Sequence, residues 1–322
     1  MLQIKKMPAY HDVDGFRIPQ SMSPNCLRGT IQYKPKDDDV FIVTFPKCGT
    51  TWTQHIVYNI LNKGEEIKNF KEFIIRCPFM EFSGPQSAEI MPRPGAIKTH
   101  LPFHLNPYSP KAKYIYVARN PKDCCVSFYH HTKMLTEYQF TDGTFDDFFE
   151  IFLNGETDFG DYFDNLLSWY KHRSDPNVLF LIYENMKSDT RGAVFKIAEF
   201  LGEDYATMLN SDEKLVEKIL YQTSAEYMKK NVNEQIKEYE NKEQNVQEDV
   251  PEGIKYCNEY MKKNNIKPMD DVQFVRKAVV GDWKNYFTPA QSKRLMEKFE
   301  KRTRETNIPL LWPGLFSDVE IK

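Results

Sequence analysis

The stretch "DVFIVTFPKCGTTWTQHIVYNILNKG" (39–64) decides the fold. Residues 39–45 form an apolar run of strand length, whereas 50–64 shows helical spacing of apolar residues and ends in glycine. The loop between them places backbone N–H groups and a helix N-terminus beside Lys47 and two threonine hydroxyls. Unpaired amides and the positive end of a helix dipole attract anions. The loop therefore predicts an anion site, although a plain tight turn would have the same sequence.

The same alternation of strand and helix continues along the chain. Further strands are predicted at 112–119 and 177–184, and the predicted helices are 120–135, 144–155, 159–173, 190–202 and one that opens at Pro289. Such alternation indicates an α/β protein with a central parallel sheet flanked by helices. No internal repeat and no Gly/Ser linker divides the chain, so residues 1–322 are predicted to form a single domain.

Composition excludes several classes of protein. The 322 residues are 41% hydrophobic and 28% charged, with a formal net charge of −3, which argues against binding to nucleic acid or anionic lipid. No signal-peptide pattern and no apolar stretch of membrane-spanning length is present, so a cytoplasmic location is expected. The six cysteines include no CxxC pair and are predicted to be buried thiols in a reducing compartment.

One segment differs from the rest in composition. Residues 231–271 carry ten acidic and six basic side chains with few large aliphatics. This composition predicts a charged insertion within the domain that is solvated and mobile, in preference to a partner-binding element.

The loop at 45–52 differs from the triphosphate-binding pattern GxxxxGK[ST], because Lys47 precedes Gly49 and Gly-Lys occurs nowhere in the chain. A magnesium-nucleotide enzyme needs an acidic residue at the end of a neighbouring strand. Here the second strand ends in Arg119, and Ser127 follows on the next helix. Fixed cations at this point indicate direct neutralisation of bound phosphates. The alternative is that Arg119 forms a surface ion pair and Ser127 is an exposed hydroxyl.

Two further segments carry candidate functional residues. "PGAIKTHLPFH" (94–104) places Lys98 beside His100, a candidate general base whose pKa a nearby cation would lower, although most single histidines are structural. "FVRKAVVGDWK" (274–284) reads either as a basic turn or as a second phosphate site remote from the first. No histidine spacing matches a zinc motif, so no metal is expected.

Taken together, these segments resemble the cytosolic sulfotransferase family, as an invertebrate-type member. The matching blocks occur in family order over nearly the whole chain: "FPKCGTTW" (45–52), "PFMEF" (78–82), "KTHLP" (98–102), "ARNPKDCCVSFYH" (118–130), "YENMK" (183–187), "TSAEYMKKN" (223–231) and "FVRKAVVGDWK" (274–284). The resemblance implies a P-loop-like core that binds 3′-phosphoadenosine 5′-phosphosulfate (PAPS) as co-substrate. It also implies transfer of its sulfuryl group to a hydroxyl or amine of a small acceptor, with 3′-phosphoadenosine 5′-phosphate (PAP) as product and without a metal.

The resemblance assigns roles to individual residues. The implied PAPS-binding residues are Lys47, Cys48, Gly49, Thr50, Thr51, Trp52, Arg119, Ser127, Tyr183, Thr223, Phe274, Val275, Arg276, Lys277 and Ala278. The implied catalytic residues are His100, Lys47, Lys98 and Ser127, and the implied acceptor site is Phe79, Phe82, Lys98, His100 and His131. In this scheme His100 is the base, Lys47 and Lys98 stabilise charge on the transferring group, and Trp52 stacks on adenine.

Several positions depart from the family pattern. Cys48 replaces serine, Ala278 replaces glycine, and Ala225 stands where an aromatic residue is frequent. These departures motivate an alternative in which the protein binds PAPS or PAP without turnover. A magnesium-dependent kinase is a more distant alternative.

Other departures concern assembly and the acceptor. Pro289 and Lys293 alter the family's dimer motif, so a homodimer is uncertain. His131 stands at a commonly aromatic position and suggests a more polar acceptor pocket, and the 231–271 insertion is a candidate lid over that pocket.

Overall fold

The computed structural model describes residues 6–242, 251–267 and 273–315. Its central sheet has four parallel strands in the order β4-β3-β5-β6. These strands are β3 (Val40–Val43), β4 (Ile97–Thr99), β5 (Lys113–Ala118) and β6 (Val178–Ile182). A separate antiparallel hairpin pairs β1 (Tyr10–Val13) with β2 (Phe16–Pro19).

Most of the described chain outside the sheet is helical. The α-helices are α1 (Pro24–Gln32), α2 (Thr50–Leu61), α3 (Phe70–Arg76), α4 (Met80–Ser83), α5 (Gln86–Ile90), α6 (Pro121–Met134), α7 (Phe145–Asn154), α8 (Tyr162–Tyr170), α9 (Tyr183–Ser188), α10 (Thr190–Leu201), α11 (Glu203–Ser211), α12 (Glu213–Gln222), α13 (Ala225–Lys242), α14 (Glu252–Lys263) and α15 (Pro289–Thr303). Short 3₁₀ turns cover Thr136–Tyr138, Asp282–Asn285 and Ile308–Leu311.

Alternate residues of the central strands enter two different hydrophobic clusters. Tyr114 and Tyr116 of β5 pack with side chains of α6, α7, α8 and α15, whereas Ile115 and Val117 pack with side chains of α2, α10 and α12. Because successive strand residues point to opposite faces, the sheet is covered by helices on both sides. The predicted α/β class with a parallel sheet flanked by helices is confirmed.

The strongest sequence signals correspond to real elements. The strands predicted at 39–45, 112–119 and 177–184 are β3, β5 and β6, and Asn120 caps α6 by accepting a hydrogen bond from the Asp123 amide. The helix predicted at 159–173 begins later, at Tyr162, because Asp161 is its N-cap and Gly160 has a φ of 83°. The β1–β2 hairpin and strand β4 were not predicted as strands.

The described part of the predicted 231–271 insertion includes two helices, each of which buries one apolar face. Helix α13 extends into it to Lys242, and Val232 and Ile236 are buried. Helix α14 buries Ile254 and Cys257 and contacts α4. The average composition of the segment does not reveal these buried faces, because a few apolar residues at helical spacing can form an apolar face on a helix whose other residues are charged. The parts of the prediction at 243–250 and 268–272 lie outside the described residues.

Candidate active site

The carboxyl ends of four parallel strands bring the candidate residues to one edge of the sheet. β3 leads into the loop of Lys47, β4 into His100, β5 into Arg119 and β6 into Tyr183. Ligands bind at this edge in open α/β sheets. The sequence predicted this convergence for β3 and β5, and the structure adds the two outer strands.

The loop at 45–50 has an unusual backbone. Lys47 has a φ of 69° and Gly49, the N-cap of α2, has a φ of 102°. A Cβ atom at Gly49 would lie 2.8 Å from Cδ2 of Tyr183, so a larger residue would clash there. No side chain caps α2, and its first amides therefore remain for a ligand at the positive end of the helix dipole.

Cys48 takes part in this loop only through its backbone. Its side chain is 1% exposed, and its Sγ atom lies 3.7 Å from Sγ of Cys124. Cys124 in turn lies with Sγ 3.4 Å from the carbonyl oxygen of Pro46. The thiol of Cys48 thus packs behind the loop, so that replacement of a serine hydroxyl removes nothing from the cavity side.

A cavity of about 1870 Å³ connects the candidate residues. It exceeds the roughly 300–1,000 Å³ of a site for one small molecule and has room for two ligands together. Apart from Cys48, every predicted site residue lines it, namely Lys47, Gly49, Thr50, Thr51, Trp52, Phe79, Phe82, Lys98, His100, Arg119, Ser127, His131, Tyr183, Thr223, Phe274, Val275, Arg276, Lys277 and Ala278.

Arg119 is buried at the junction of β5 and α6, with an exposed fraction of 7%. Its Nη1 donates to the carbonyl of Lys47 at 2.9 Å and its Nη2 to the carbonyl of Val279 at 3.4 Å. The guanidinium carbon lies 4.5 Å from the ring centroid of Tyr183. The alternative of a surface ion pair is therefore wrong, since Arg119 joins the first loop to the second basic segment.

The second basic segment is held to the start of α6. Arg276 and Lys277 both donate to Asp282, at 2.6 and 2.7 Å. Partial burial raises the pKa of Asp282, but the hydrogen bonds from Lys277 and Arg276 outweigh it and hold that pKa well below its usual range. The carboxylate of Asp123 accepts from the amides of Gly281 and Trp283 at 2.7 and 3.0 Å. A basic cluster remote in sequence is thus fixed near Arg119.

Ala278 occupies a backbone conformation that favours glycine. Its φ is 54°, which costs a residue with a Cβ about 1–2 kcal/mol.

The expected adenine-binding residues also lie together. Trp52 Nε1 donates to the carbonyl of Thr223 at 2.8 Å, and its ring meets that of Tyr183 edge-on at 5.5 Å. Lys187 lies 5.3 Å from the centroid of the Trp52 ring. These contacts hold the Trp52 and Tyr183 rings together beside the loop, with their planes at 73° to each other.

His100 is held in one tautomer. Its Nδ1 lies 2.8 Å from the carbonyl oxygen of Thr44, which can only accept, so Nδ1 carries the proton and Nε2 keeps a free lone pair. Burial and the charges of Lys98 and Lys47 hold its pKa well below 6.5. A neutral imidazole with a free Nε2 facing a cavity is suited to accept a proton.

The two lysines beside His100 also have perturbed pKa values. Burial and the charges of Lys98 and Arg119 lower the pKa of Lys47 to about 7. Burial lowers the pKa of Lys98 to about 8, and its Nζ lies 3.8 Å from the centroid of the Phe79 ring. Cations placed close together in a buried cavity repel one another and create a positive potential, and a bound anion would reduce that repulsion.

Sequence reasoning assigned no role to the buried acid, Glu81, that supports His100. Glu81 Oε1 accepts from the backbone N–H of His100 at 2.6 Å and from the Thr99 hydroxyl at 2.9 Å. Burial raises the pKa of Glu81 to about 7. The signal available in the sequence was a single acid inside the apolar block "PFMEF", since a carboxylate among apolar residues tends to be buried with partners.

Substitution Glu81→Gln is expected to change how stability depends on pH. The folded protein retains the Glu81 proton up to a pH of about 7, whereas the unfolded chain releases it near its ordinary value of 4.5. The wild type therefore loses stability, on the order of 3 kcal/mol, as pH rises between these values, and no more above them. Relative to the wild type, the free energy of unfolding of the variant, measured with urea, should therefore increase as pH rises from about 4.5 to about 7. Glu89→Gln, at an exposed position on α5, is the control, and a pH-independent difference for Glu81→Gln would contradict the prediction.

The cavity also includes residues that sequence reasoning did not name individually as site residues. The ring of Phe159 lies 5.0 Å from that of His100, and Ile254, Cys257 and Met261 of α14 line the same cavity. In the described ranges, no helix combines the length and apolar character of a membrane span, and no cluster of potential ligands could hold a metal ion.

Comparison with known proteins agrees with this geometry. The family model described as a sulfotransferase domain matches residues 37–307. Rat (Rattus norvegicus) sulfotransferase 1C2 is 36% identical over 287 residues, covering 86% of this chain and 86% of the rat protein. Rabbit (Oryctolagus cuniculus) amine sulfotransferase is 34% identical over 289 residues, covering 87% of this chain and 85% of its own. The crystal structure of mouse sulfotransferase SULT7A1 complexed with PAP has a TM-score of 0.72 and 29% identity, and covers 96% of this chain and 99% of the mouse chain.

Proposed function

We propose, on the premise that this chain belongs to the sulfotransferase family, that it transfers the sulfuryl group of PAPS to a hydroxyl or amine of a small acceptor with His100 as general base. The family model and the relatives make the chain a PAPS-dependent sulfotransferase. The assignment of residues to the steps rests on the contacts described above.

The observation that carries the proposal is the tautomer of His100. With its Nδ1 proton donated to Thr44, the Nε2 lone pair takes the proton of the acceptor hydroxyl. The acceptor oxygen then forms its bond to sulfur while the bond between sulfur and the leaving phosphate oxygen breaks. Positioning and charge neutralisation supply the catalysis for such an in-line transfer.

The chain's cations are placed for the two ends of the co-substrate. The loop of Lys47 and the start of α2 suit the 5′-phosphosulfate, with Lys47 and Lys98 stabilising the negative charge that develops in transfer. Arg119, Ser127, Arg276 and Lys277 suit the 3′-phosphate, while Trp52, Tyr183 and Thr223 suit adenine. Asp282 forms ion pairs with both Arg276 and Lys277. Its negative charge reduces the repulsion between these two cations and so holds them near each other in the ligand-free protein.

The acceptor end is framed by Phe79, Phe82 and His131, with α14 as the proposed lid. The apolar face of α14 and its contact with α4 support this role for the 231–271 insertion within one domain. The name of the rabbit relative makes amines a reasonable acceptor class beside phenols and alcohols.

We extend the proposal to a cytoplasmic enzyme without the family's usual dimer. The altered dimer motif motivates the second part, and its two changed residues, Pro289 and Lys293, lie at exposed positions that a partner chain could contact. Light scattering of the purified chain tests it directly.

An assay of radiolabelled sulfate transfer from PAPS to a panel of phenols, alcohols and amines tests the function. Turnover of at least one class is expected, and it should depend on His100. Tight binding of PAP with no transfer to any acceptor would instead favour the alternative of a binding protein without turnover.

The affinity for PAP is expected to fall as pH rises above about 7. The ligand-free protein loses the Lys47 proton there, so binding of the anion must take a proton up again, which weakens the observed affinity by at most about tenfold per pH unit for each such group. Substitution Lys47→Arg keeps the charge and should flatten the profile, with Lys98 supplying the remaining slope at a pH of about 8.

Calorimetric titration in buffers of different ionisation enthalpy measures both the affinity and the protons taken up. Lys301→Arg, an exposed position on α15, is the matched control. An unchanged slope in Lys47→Arg would refute the assignment of this pH dependence to Lys47.

A further inference from the structure

A row of aromatic rings leads away from His100 along one wall of the cavity. The ring of Phe79 meets the imidazole edge-on with centroids 5.1 Å apart, and Phe82 stacks on Phe79 at 6.3 Å. Phe159 contacts both the imidazole, at 5.0 Å, and Phe79, at 6.1 Å. All four residues line the cavity. A molecule whose hydroxyl reaches His100 therefore meets apolar ring surface along the rest of its body.

Helix α14 lies against the far end of this row. The carbonyl oxygen of Phe82 is so close to Gly253 that a Cβ atom on the glycine would lie 1.5 Å from it. Only glycine therefore allows α14 to approach α4 in this way. Ile254 and Cys257, each 8% exposed, line the cavity together with Met261. Because these three residues are three and four positions apart, they lie on one face of α14 and continue the apolar wall beyond Phe82.

Helix α14 is held at both ends, which fixes the position of this face. Near its C-terminus the Tyr260 hydroxyl accepts from Nε2 of Gln139 at 2.8 Å and donates to Oε1 of Gln20 at 3.3 Å. At its N-terminus it is packed on the Phe82 carbonyl. Three charged side chains of α14 also line the cavity but are exposed, and so lie at its solvent edge: Glu252, Lys255 and Lys262.

The cavity is larger than PAPS and a single phenol ring require. Its volume is about 1870 Å³. A site for one ligand of ordinary size takes up to about 1,000 Å³, so several hundred Å³ are left for the acceptor. A monocyclic phenol at His100 would leave the apolar face of α14 in contact with water, whereas a longer apolar molecule would cover it.

We propose that the preferred acceptors are phenols and alcohols that carry the reacting hydroxyl at one end of an elongated apolar body, and that the apolar face of α14 binds the other end. The inference rests on the proposed function, since it takes His100 as the partner of the reacting hydroxyl. Each methylene group that leaves water for this wall should increase affinity by about threefold.

Two phenols that differ only in length test the inference: 4-methylphenol and 4-heptylphenol. Dissociation constants are measured by calorimetry with the full chain saturated with PAP, and kcat/KM is measured with PAPS. The wild type should prefer 4-heptylphenol by at least about 30-fold in both readouts, which corresponds to roughly three methylene groups in apolar contact.

Two variants of α14 should reduce this preference to about fivefold or less by different routes. Met261→Trp fills the far end of the cavity, and Gly253→Ala places a Cβ atom against the Phe82 carbonyl and displaces the helix. Both should bind 4-methylphenol as the wild type does. Lys263→Trp is the matched control, because Lys263 is exposed on the same helix and does not line the cavity, and it should keep the full preference.

The preference is a ratio within each protein sample, so a partly unfolded variant does not distort it. A wild-type ratio below about 30-fold, or an unchanged ratio in either α14 variant, overturns the inference. The binding readout separates this from failure of the proposed function. A preference in the PAP complex without any turnover leaves the inference standing and removes the function, whereas turnover without preference does the reverse.

Discussion

Replacement of His100 by alanine or asparagine is expected to lower kcat for sulfuryl transfer by about 10²–10⁴-fold, the range that general-base catalysis supplies. Asparagine is the sharper variant because its amide can still donate to the carbonyl of Thr44, as Nδ1 does at 2.8 Å. It has no counterpart of the free Nε2 lone pair. Loss of activity in both variants would therefore be due to the missing base and not to a displaced Thr44.

The measurement is kcat at saturating PAPS and acceptor, with the dissociation constant of PAP determined in parallel. PAP affinity should change little, because the role proposed for His100 is contact with the acceptor. His104→Asn, at an exposed position on the following loop, controls for loss of a histidine as such. Retention of more than about a tenth of wild-type kcat in His100→Asn would exclude His100 as the base.

The sequence predicted those strands and helices whose apolar spacing and capping residues lie within the element itself. The strand–loop–helix units at Lys47 and Arg119 combine apolar strands with capped, periodic helices, so both their type and their junctions could be predicted. Because parallel strands end at one edge, these two junctions also predicted a shared site.

The parts that could not be predicted depend on tertiary contacts. Strand β4 has only three residues, Ile97–Thr99, and becomes a strand because it pairs with β3. Glu81 supports His100 through a contact made in space, and no spacing in the sequence encodes it. The direction of the Cys48 side chain, behind the loop, depends on packing against Cys124 from another strand–helix unit.

The histidine tautomers also depend on tertiary contacts and could not be predicted from the sequence. The sequence identified His100 and His131 as candidates, but the partner of each Nδ1 atom decides whether its Nε2 donates or accepts. The partner of His100 Nδ1 is the carbonyl of Thr44, which leaves Nε2 of that ring as an acceptor. The partner of His131 Nδ1 is the amine of Lys47, whose pKa of about 7 lets it be charged or neutral near neutral pH, so this contact does not by itself fix the His131 tautomer.

Substitution Arg119→Lys is expected to weaken PAP binding by about 10²-fold or more, even though it conserves the charge. The guanidinium reaches the carbonyl oxygens of Lys47 and Val279 with separate nitrogens and lies over the ring of Tyr183. A lysine ammonium on a flexible stem cannot hold both carbonyls in this planar arrangement. The two phosphate-binding segments would then lose the side chain that joins them.

The dissociation constant of PAP by calorimetry, together with the midpoint of thermal unfolding with and without PAP, separates binding from folding. Arg191→Lys is the matched control, because Arg191 is exposed and pairs with Glu213 on the surface. It should leave PAP affinity unchanged, since exposed ion pairs contribute about 0–1 kcal/mol. If Arg119→Lys bound PAP within about threefold of the wild type, charge alone would explain the role of this residue and the bridge between the segments would not be needed.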